Sequence, residues 1–190
     1  MSDALPEMMP MTALGGQTAK VETVGTTTLT EVTNLALASV ATRLGHEDLC
    51  GNKLASCLGG DTPLVEAMIY GAPFSAFWMG PGQWMVSASH DNHEYLAATL
   101  KAQLGSAASV TEQNDAWVIF DLRGDVESVM ELLCAINMRA FPVGAARRTT
   151  IDHVGCFVVC LGHNHLRIFG PRSSAGSLHH ALLTAMRSAG

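Results

Sequence analysis

Apolar residues along the chain fall in short runs of strand length, separated by stretches that repeat at helical spacing. The run Leu35-Ala-Leu-Ala-Ser-Val40 ends at Arg43-Leu-Gly45, and from Glu47 to Leu58 the apolar positions Leu54, Cys57 and Leu58 recur at helical intervals before Gly59-Gly60. This predicts a strand followed by a helix. Phe77-Trp-Met79 and Trp84-Met-Val86 flank Gly80-Pro-Gly-Gln83, a hairpin signal. Asp91-Asn-His-Glu94 then offers a carboxylate at a helix N-cap and a glutamate three residues on, with Leu96, Leu100 and Leu104 down one face and Gly105 as the stop.

The same unit recurs in the second half. Trp117-Val-Ile-Phe120 reads as a buried strand and Gly124-Asp125 as a turn and cap, and Val126, Val129, Met130, Leu133 and Ile136 form an amphipathic stripe. Arg147 to Ile151, Val154 to Leu161 and His165 to Phe169 predict three more strands, the last two joined by a turn at Gly162. Pro171-Arg-Ser-Ser174 opens a closing helix with Leu178, Leu182 and Met186 inside. Strands outnumber helices and are joined by tight turns, which predicts an α+β fold with an antiparallel or mixed sheet and helices packed on one side. Residues 1–30, with four methionines, a Gly-Gly pair and a Thr-rich run, lack helical periodicity. They read as a flexible N-terminal arm before a single domain at 31–190, and Leu5, Met8, Met9 and Met11 would suit it to lie on a neighbouring subunit.

Composition sharpens the picture. Charged residues make up 15% of the chain, against about 25% in an ordinary soluble domain, as expected if other chains cover part of the surface. A compact monomer rich in small residues is the alternative. The net charge of −6 is uneven: 13 acidic and 4 basic side chains precede Arg123, whereas 4 acidic and 7 basic ones follow from there on. The positive half could meet an anion or an acidic partner, but it is too sparse for nucleic acid. No run is long enough to span a membrane and no secretory leader is recognisable, so the expected location is the cytoplasm.

Neither the cysteines nor the histidines converge. On one strand Cys156 and Cys160 would sit about 13 Å apart, and on one helix Cys50 and Cys57 would sit about 10 Å apart, so all five thiols read as small buried apolar groups. His163 and His165 could share one side of a turn, yet no thiolate or carboxylate nearby in sequence completes a metal set, and His179 and His180 point apart on a helix. There is no phosphate-binding glycine loop, no nucleophile elbow and no activated cysteine. The most suggestive polar group is Arg172 with Ser173 and Ser174, a guanidinium and two hydroxyls at a helix N-terminus, where a carboxylate or phosphate would be favoured. Equally, one of the serines could simply cap the helix. Arg139, Arg147 and Arg148 would add to the same positive surface.

Ala140-Phe-Pro-Val-Gly-Ala-Ala-Arg-Arg-Thr149, followed by strands and then Gly170-Pro-Arg-Ser-Ser-Ala-Gly-Ser-Leu-His179, resembles the gamma subunit of heterotetrameric sarcosine oxidase. Leu35 to Gly45 is similar to that family's strand ending in Arg-x-Gly, and Trp78-Met-Gly-Pro-Gly-Gln-Trp84 to its Leu-Gly-Pro-x-x-Trp hairpin. The resemblance runs from about Leu35 to the C-terminus. Ser174 stands where the family often has an aromatic, and Asn137-Met138 where it often has Asp-Leu, which leaves room for a related complex such as N-methylglutamate dehydrogenase.

The resemblance implies a fold similar to the folate-binding domain of the glycine-cleavage T protein. It also implies a flavoenzyme of four different chains that demethylates an N-methyl amino acid and passes the carbon to tetrahydrofolate. Sites for FAD, FMN, NAD and tetrahydrofolate would lie on partners, which comprise larger alpha and beta subunits and a small delta subunit. This chain would carry no cofactor and no catalytic residue. A free-standing folate-binding or aminomethyl-transfer protein is the third reading, and it would need a convergent acid to hold the pterin amino group.

Overall fold

In the computed structural model, which describes residues 9–190, short apolar runs and glycine turns resolve into eleven strands and four α-helices. In chain order these are β1 (Val21–Val24), β2 (Thr27–Glu31), β3 (Leu35–Thr42), α1 (Glu47–Leu58), β4 (Met68–Ile69), β5 (Ser75–Gly80), β6 (Gln83–Ser89) and α2 (Leu96–Leu104). They continue with β7 (Ala108–Glu112), β8 (Trp117–Arg123), α3 (Val126–Glu131), β9 (Ala146–Ile151), β10 (Val154–Gly162), β11 (His165–Pro171) and α4 (Ala175–Ala189). No described helix is long and apolar enough to cross a membrane.

All strand pairs are antiparallel and they form two sheets, ordered β1-β2-β8-β11-β10-β9 and β4-β5-β6-β3-β7. Each sheet carries its helices on one face and turns its other face to the second sheet. Strand alternation explains this sorting. In β3, Ala36, Ala38 and Val40 meet α1 and α2, whereas Leu37 points to the layer between the sheets. In β8, Val118, Phe120 and Leu122 meet α3 and α4, whereas Ile119 points inward. The inner layer is filled by Leu37, Phe77 and Met85 from one sheet and Ile119, Phe157, Val159 and Phe169 from the other. Phe77 is its centre, with ring centroids 5.5 Å from Phe157 and 4.9 Å from Phe169.

The recurrence seen in the sequence is a repeat of topology. The order strand, helix, three strands, helix occurs first as β3-α1-β4-β5-β6-α2 and again as β8-α3-β9-β10-β11-α4, and both units have equivalent strand neighbours. The units join at equivalent points. Ala67, just before β4, bridges antiparallel to Ala145, just before β9. The Met68 N–H donates to the Gly144 carbonyl at 2.7 Å, and the Ala146 N–H to the Glu66 carbonyl at 2.8 Å.

Three expectations shift. Residues 1–8, including Leu5 and Met8 of the expected arm, lie outside the described residues. Residues 21–30 of that arm are built into the larger sheet as the β1–β2 hairpin, with Leu29 opposite Leu122 of β8. The Thr-rich run has period two rather than 3.6: Thr27, Leu29 and Glu31 are buried, and Thr28 and Thr30 less so. β2 takes beside β8 the place that β7 takes beside β3.

The helix expected from Asp91 starts instead at Leu96, with Tyr95 at its cap position making no side-chain cap. The chain is held back by β-type pairing, since the His90 N–H donates to the Asn34 carbonyl, and the His93 N–H then turns onto Ser89 and His90. The stripe expected through Ile136 is helical only to Glu131, because the N–H groups of Leu132 and Leu133 bond three residues back and tighten the turn. Ile136 is still buried, outside the helix.

Gly124, with φ +108°, lies where β8 passes the hairpin. A Cβ there would collide with the Thr26 carbonyl oxygen and stand 2.9 Å from Thr27 Cα. Gly124→Ala is expected to cost at least about 1–3 kcal/mol, the range for an L-residue forced into such backbone. Urea unfolding measures it. Unchanged stability would show that the hairpin does not close on Gly124.

Candidate functional site

Every inward position at the centre of the inter-sheet layer is apolar, but at one end the rule breaks. On β8 the inward series is Ile119, Asp121, Arg123, and on β11 it is Phe169, Arg167, His165. Register sets Arg167 directly opposite Asp121 and His165 opposite Arg123. The Arg167 guanidinium grips the carboxylate with both arms, Nε to Oδ1 at 2.7 Å and an Nη to Oδ2 at 2.9 Å. His165 Nε2 lies 3.1 Å from Oδ2 but outside hydrogen-bond geometry, and among the described residues it has no other partner. Arg123 approaches the same oxygen only to 4.0 Å and keeps a mostly exposed side chain.

Asp121 is 7% exposed, and desolvation alone would push its carboxyl above the ordinary range. The hydrogen bonds and charge of Arg167 outweigh that and hold it below, so it is ionised at neutral pH. For His165, burial dominates the pull of Asp121, and Arg123 and Arg167 add to it, so the imidazole titrates below its ordinary value and is neutral at pH 7. The depression of Asp121 therefore belongs chiefly to Arg167, with a smaller contribution from His165.

Above this cluster a cleft of about 330 Å³ opens between Met68, Tyr70, Val143 and the Arg123–His165–Arg167 group. A second recess of about 240 Å³ shares Met68, Tyr70 and Arg167 and is lined by Ser75, Ser87 and Ser89. A larger groove of about 700 Å³, between α4 and the β9–β10 turn, has as its titratable groups only the exposed Asp152, His153 and His180. The smaller cleft is the better candidate because buried ionic groups converge on it.

The basic residues singled out in the sequence do not share one surface. Arg172 is five residues beyond Arg167, about 16 Å along the strand, and its guanidinium donates to the Met11 carbonyl at 2.9 Å. The N-terminal segment is thus pinned to its own domain, helped by the buried Glu31 carboxylate, which accepts from the Leu14 and Lys20 N–H groups. Ser174 stands at the cap position of α4 without a side-chain cap bond, and Ser173 is exposed. Arg147 and Arg148 alternate on β9. Arg147 pairs with Glu66 at 2.8 Å and stacks on Phe141, whereas Arg148 leans over Phe157 from the exposed edge. Arg139 pairs with Glu127. Sequence reasoning missed Asp121, Arg123 and Arg167. Their signal was the polar alternation His165-Leu-Arg167-Ile in a strand, which gains meaning only once β11 is paired with β8.

No protein-family model matches the sequence, and no curated protein matches it by sequence. Solved structures share the fold, an α+β arrangement of two antiparallel sheets with helices. A chain of heterotetrameric sarcosine oxidase from Corynebacterium sp. U-96, solved with pyrrole 2-carboxylate, superposes with a TM-score of 0.75 at 22% identity, covering 85% of this chain and 84% of that one. Glycine cleavage system aminomethyltransferase T from Bartonella henselae gives a TM-score of 0.60 at 16% identity, covering 83% of this chain and 45% of that one. This chain therefore corresponds to under half of the aminomethyltransferase.

Removing Asp121 leaves Arg167 buried without its partner. Asp121→Ala should cost towards the lower end of about 3–5 kcal/mol, since Arg167 retains some solvent, and an apolar pair at 121 and 167 should restore most of it. Chemical unfolding of the single and double variants tests this, and equal losses in both would show the pair to be incidental. The depressed His165 makes the unfolded chain the better proton acceptor, so its stabilisation is full above about pH 6.5 and is lost as pH falls through the lower folded value. His165→Gln should flatten the decline in stability between neutral pH and pH 5, leaving the part due to the similarly depressed His179.

Arg172→Ala should cost only about 0.5–1.5 kcal/mol while exposing residues 9–20 to protease. An unchanged cleavage rate would show that Arg172 does not hold the segment.

Proposed function

We propose that this chain is a gamma-type, non-catalytic subunit of a heterotetrameric flavoenzyme of the sarcosine oxidase type, acting in the cytoplasm. The assembly oxidatively demethylates an N-methyl amino acid, with tetrahydrofolate taking the one-carbon unit. FAD, FMN, NAD and tetrahydrofolate sites, on this reading, belong to larger alpha and beta subunits, and a small delta subunit completes the complex. The observation that carries the reading is the near-complete mutual coverage with a chain of a heterotetrameric sarcosine oxidase, 85% and 84%. The ordered motifs from Leu35 to His179 support it independently.

The surface supports a subunit role. Where β4 and β9 form adjoining sheet edges, Leu64, Val65, Tyr70 and Val143 are 78%, 70%, 79% and 52% exposed. Arg148 is exposed on the same edge, whereas Arg147 is taken up by Glu66, so an apolar strip with one exposed guanidinium group faces outward. Such a strip fits an apolar, partly acidic partner surface. Arg172, Ser173 and Ser174, at the far end of β11, would form a second contact at most.

Ser174 and the Asn137-Met138 pair keep a related dehydrogenase of N-methylglutamate as the second reading, because they alter motifs that would meet partners. A free-standing folate-binding role is less well supported. Asp121 is the buried acid of the cleft, and Arg167 occupies both of its oxygens, leaving no free carboxylate for a pterin amino group.

Co-expression with flavin-binding partners should yield a stable complex with N-methyl amino acid oxidising activity, whereas the full chain alone should bind neither flavin nor NAD. Leu64→Glu combined with Val65→Glu should abolish co-purification while leaving the melting temperature of the isolated chain unchanged. A flavin spectrum in the isolated chain would overturn the proposal, and undiminished assembly of the variant would remove this edge from it.

A further inference from the structure

The Asp121–Arg167 pair stabilises the fold little for its cost, since two apolar side chains of similar size would fill an inter-sheet position about as well or better. Its geometry nevertheless has a chemical consequence. By gripping both oxygens of Asp121, Arg167 neutralises the one acid of the cluster among the described residues and leaves the Arg123 guanidinium with only a 4.0 Å approach to that already paired carboxylate. The cleft thus holds an excess positive charge in a chain of net charge −6. Next to it, the His165 ring lines the wall, its buried Nε2 turned to Asp121 Oδ2 at 3.1 Å rather than to the open cleft. The rest of the lining is the apolar Met68, Val143 and Leu161, the exposed Tyr70 ring, Gly144 and the Cys160 thiol.

We propose that this cleft is a binding site for a small organic carboxylate with a compact apolar body. The carboxylate sits against Arg123, where the planar guanidinium can donate two parallel hydrogen bonds. The body lies against Met68 and Tyr70, the residues that the two recesses share. At about 330 Å³ the cleft lies at the small end of ligand sites, which suits a ligand of this size rather than a nucleotide. Asp121 and Arg167 act as positioning residues: the pair fixes the cleft wall and keeps the acid from competing for Arg123. The proposal does not depend on the subunit reading, because all the groups it uses belong to this chain.

Benzoate is a suitable probe, with benzamide as its uncharged counterpart and inorganic phosphate as a bare anion. In a titration of the full chain followed by amide NMR, benzoate should give saturable shifts at residues 68–70, 123 and 165. Benzamide and phosphate should each bind at least about tenfold more weakly, since one lacks the charge and the other the apolar body. Arg123→Gln should weaken benzoate about tenfold or more with an unchanged melting temperature, because the side chain is mostly exposed. Should that variant unfold, Tyr70→Ser, at a largely exposed ring, should still weaken benzoate several-fold. Phosphate binding as tightly as benzoate would replace the proposal with a simple anion site. Benzoate shifts that fail to saturate at tens of millimolar, or an affinity indifferent to both substitutions, would overturn it.

Discussion

The contact on which this fold depends is the apolar layer between its two sheets. Each sheet has only one face for its helices, so the opposite face must be covered by the other sheet or left in water. Phe77 inserts between Phe157 and Phe169, with tilted rings at centroid distances of 5.5 and 4.9 Å, and Met85 and Val159 are fully buried beside them. Burying such side chains is worth about 1.5–3 kcal/mol each, and tilted aromatic pairs add to that. The layer also fixes register, because a one-residue slip of β8 would drive Phe120 into it and turn Ile119 to the helices.

That constraint explains the placement of the ionic cluster. Alternation sends every second residue of β8 and β11 inward, so the inward series must become polar where the layer reaches solvent. Asp121 and Arg167 mark that transition. Their buried pair is tolerable because both carboxylate oxygens are satisfied, and the groups beyond them, Arg123 and His165, lie in the wall of an open cleft rather than in the core. The site is thus the outer rim of the core, built from the strands that carry its centre.

Much of this architecture was legible in the sequence, because it rests on local signals. The strand at Leu35, the helix from Glu47 to Leu58, the hairpin around Gly80 and the closing helix after Pro171 fall where spacing and glycine stops place them. What escaped depends on pairing between distant segments. The Thr-rich run looked like an arm because a five-residue strand with threonines at three positions and one leucine carries little hydrophobic signal until β8 lies beside it. The helix start at Asp91 failed because an inter-strand bond from His90 to Asn34 overrode a good capping sequence. Asp121 and Arg167 are 46 residues apart, and nothing local distinguishes them from surface charges. Arg172, by contrast, was noticed for its helix N-terminus, yet its guanidinium is engaged by a backbone carbonyl of the N-terminal segment.

The join between the two units explains why the exposed apolar strip lies where it does. Ala67 and Ala145 occupy equivalent places before β4 and β9, and they pair antiparallel with reciprocal hydrogen bonds between Met68 and Gly144 and between Ala146 and Glu66. Equivalent residues meeting reciprocally is the mark of a local two-fold axis, as in a symmetric dimer interface. The residues preceding the pair, Glu66 and Gly144, both have positive φ, 56° and 86°. Glycine adopts that backbone freely, whereas the glutamate does so at a conformational cost, and its carboxylate is set against Arg147 of the other unit. A two-fold join of edge strands brings two unpaired sheet edges and their flanking loops to one side of the molecule. Leu64, Val65 and Val143 belong to those loops, so the symmetry that closes the inner layer also concentrates apolar surface outside it. An isolated domain would gain from polar residues at Leu64, Val65 and Val143, and these apolar positions are the physical basis of the partner contact proposed for this edge.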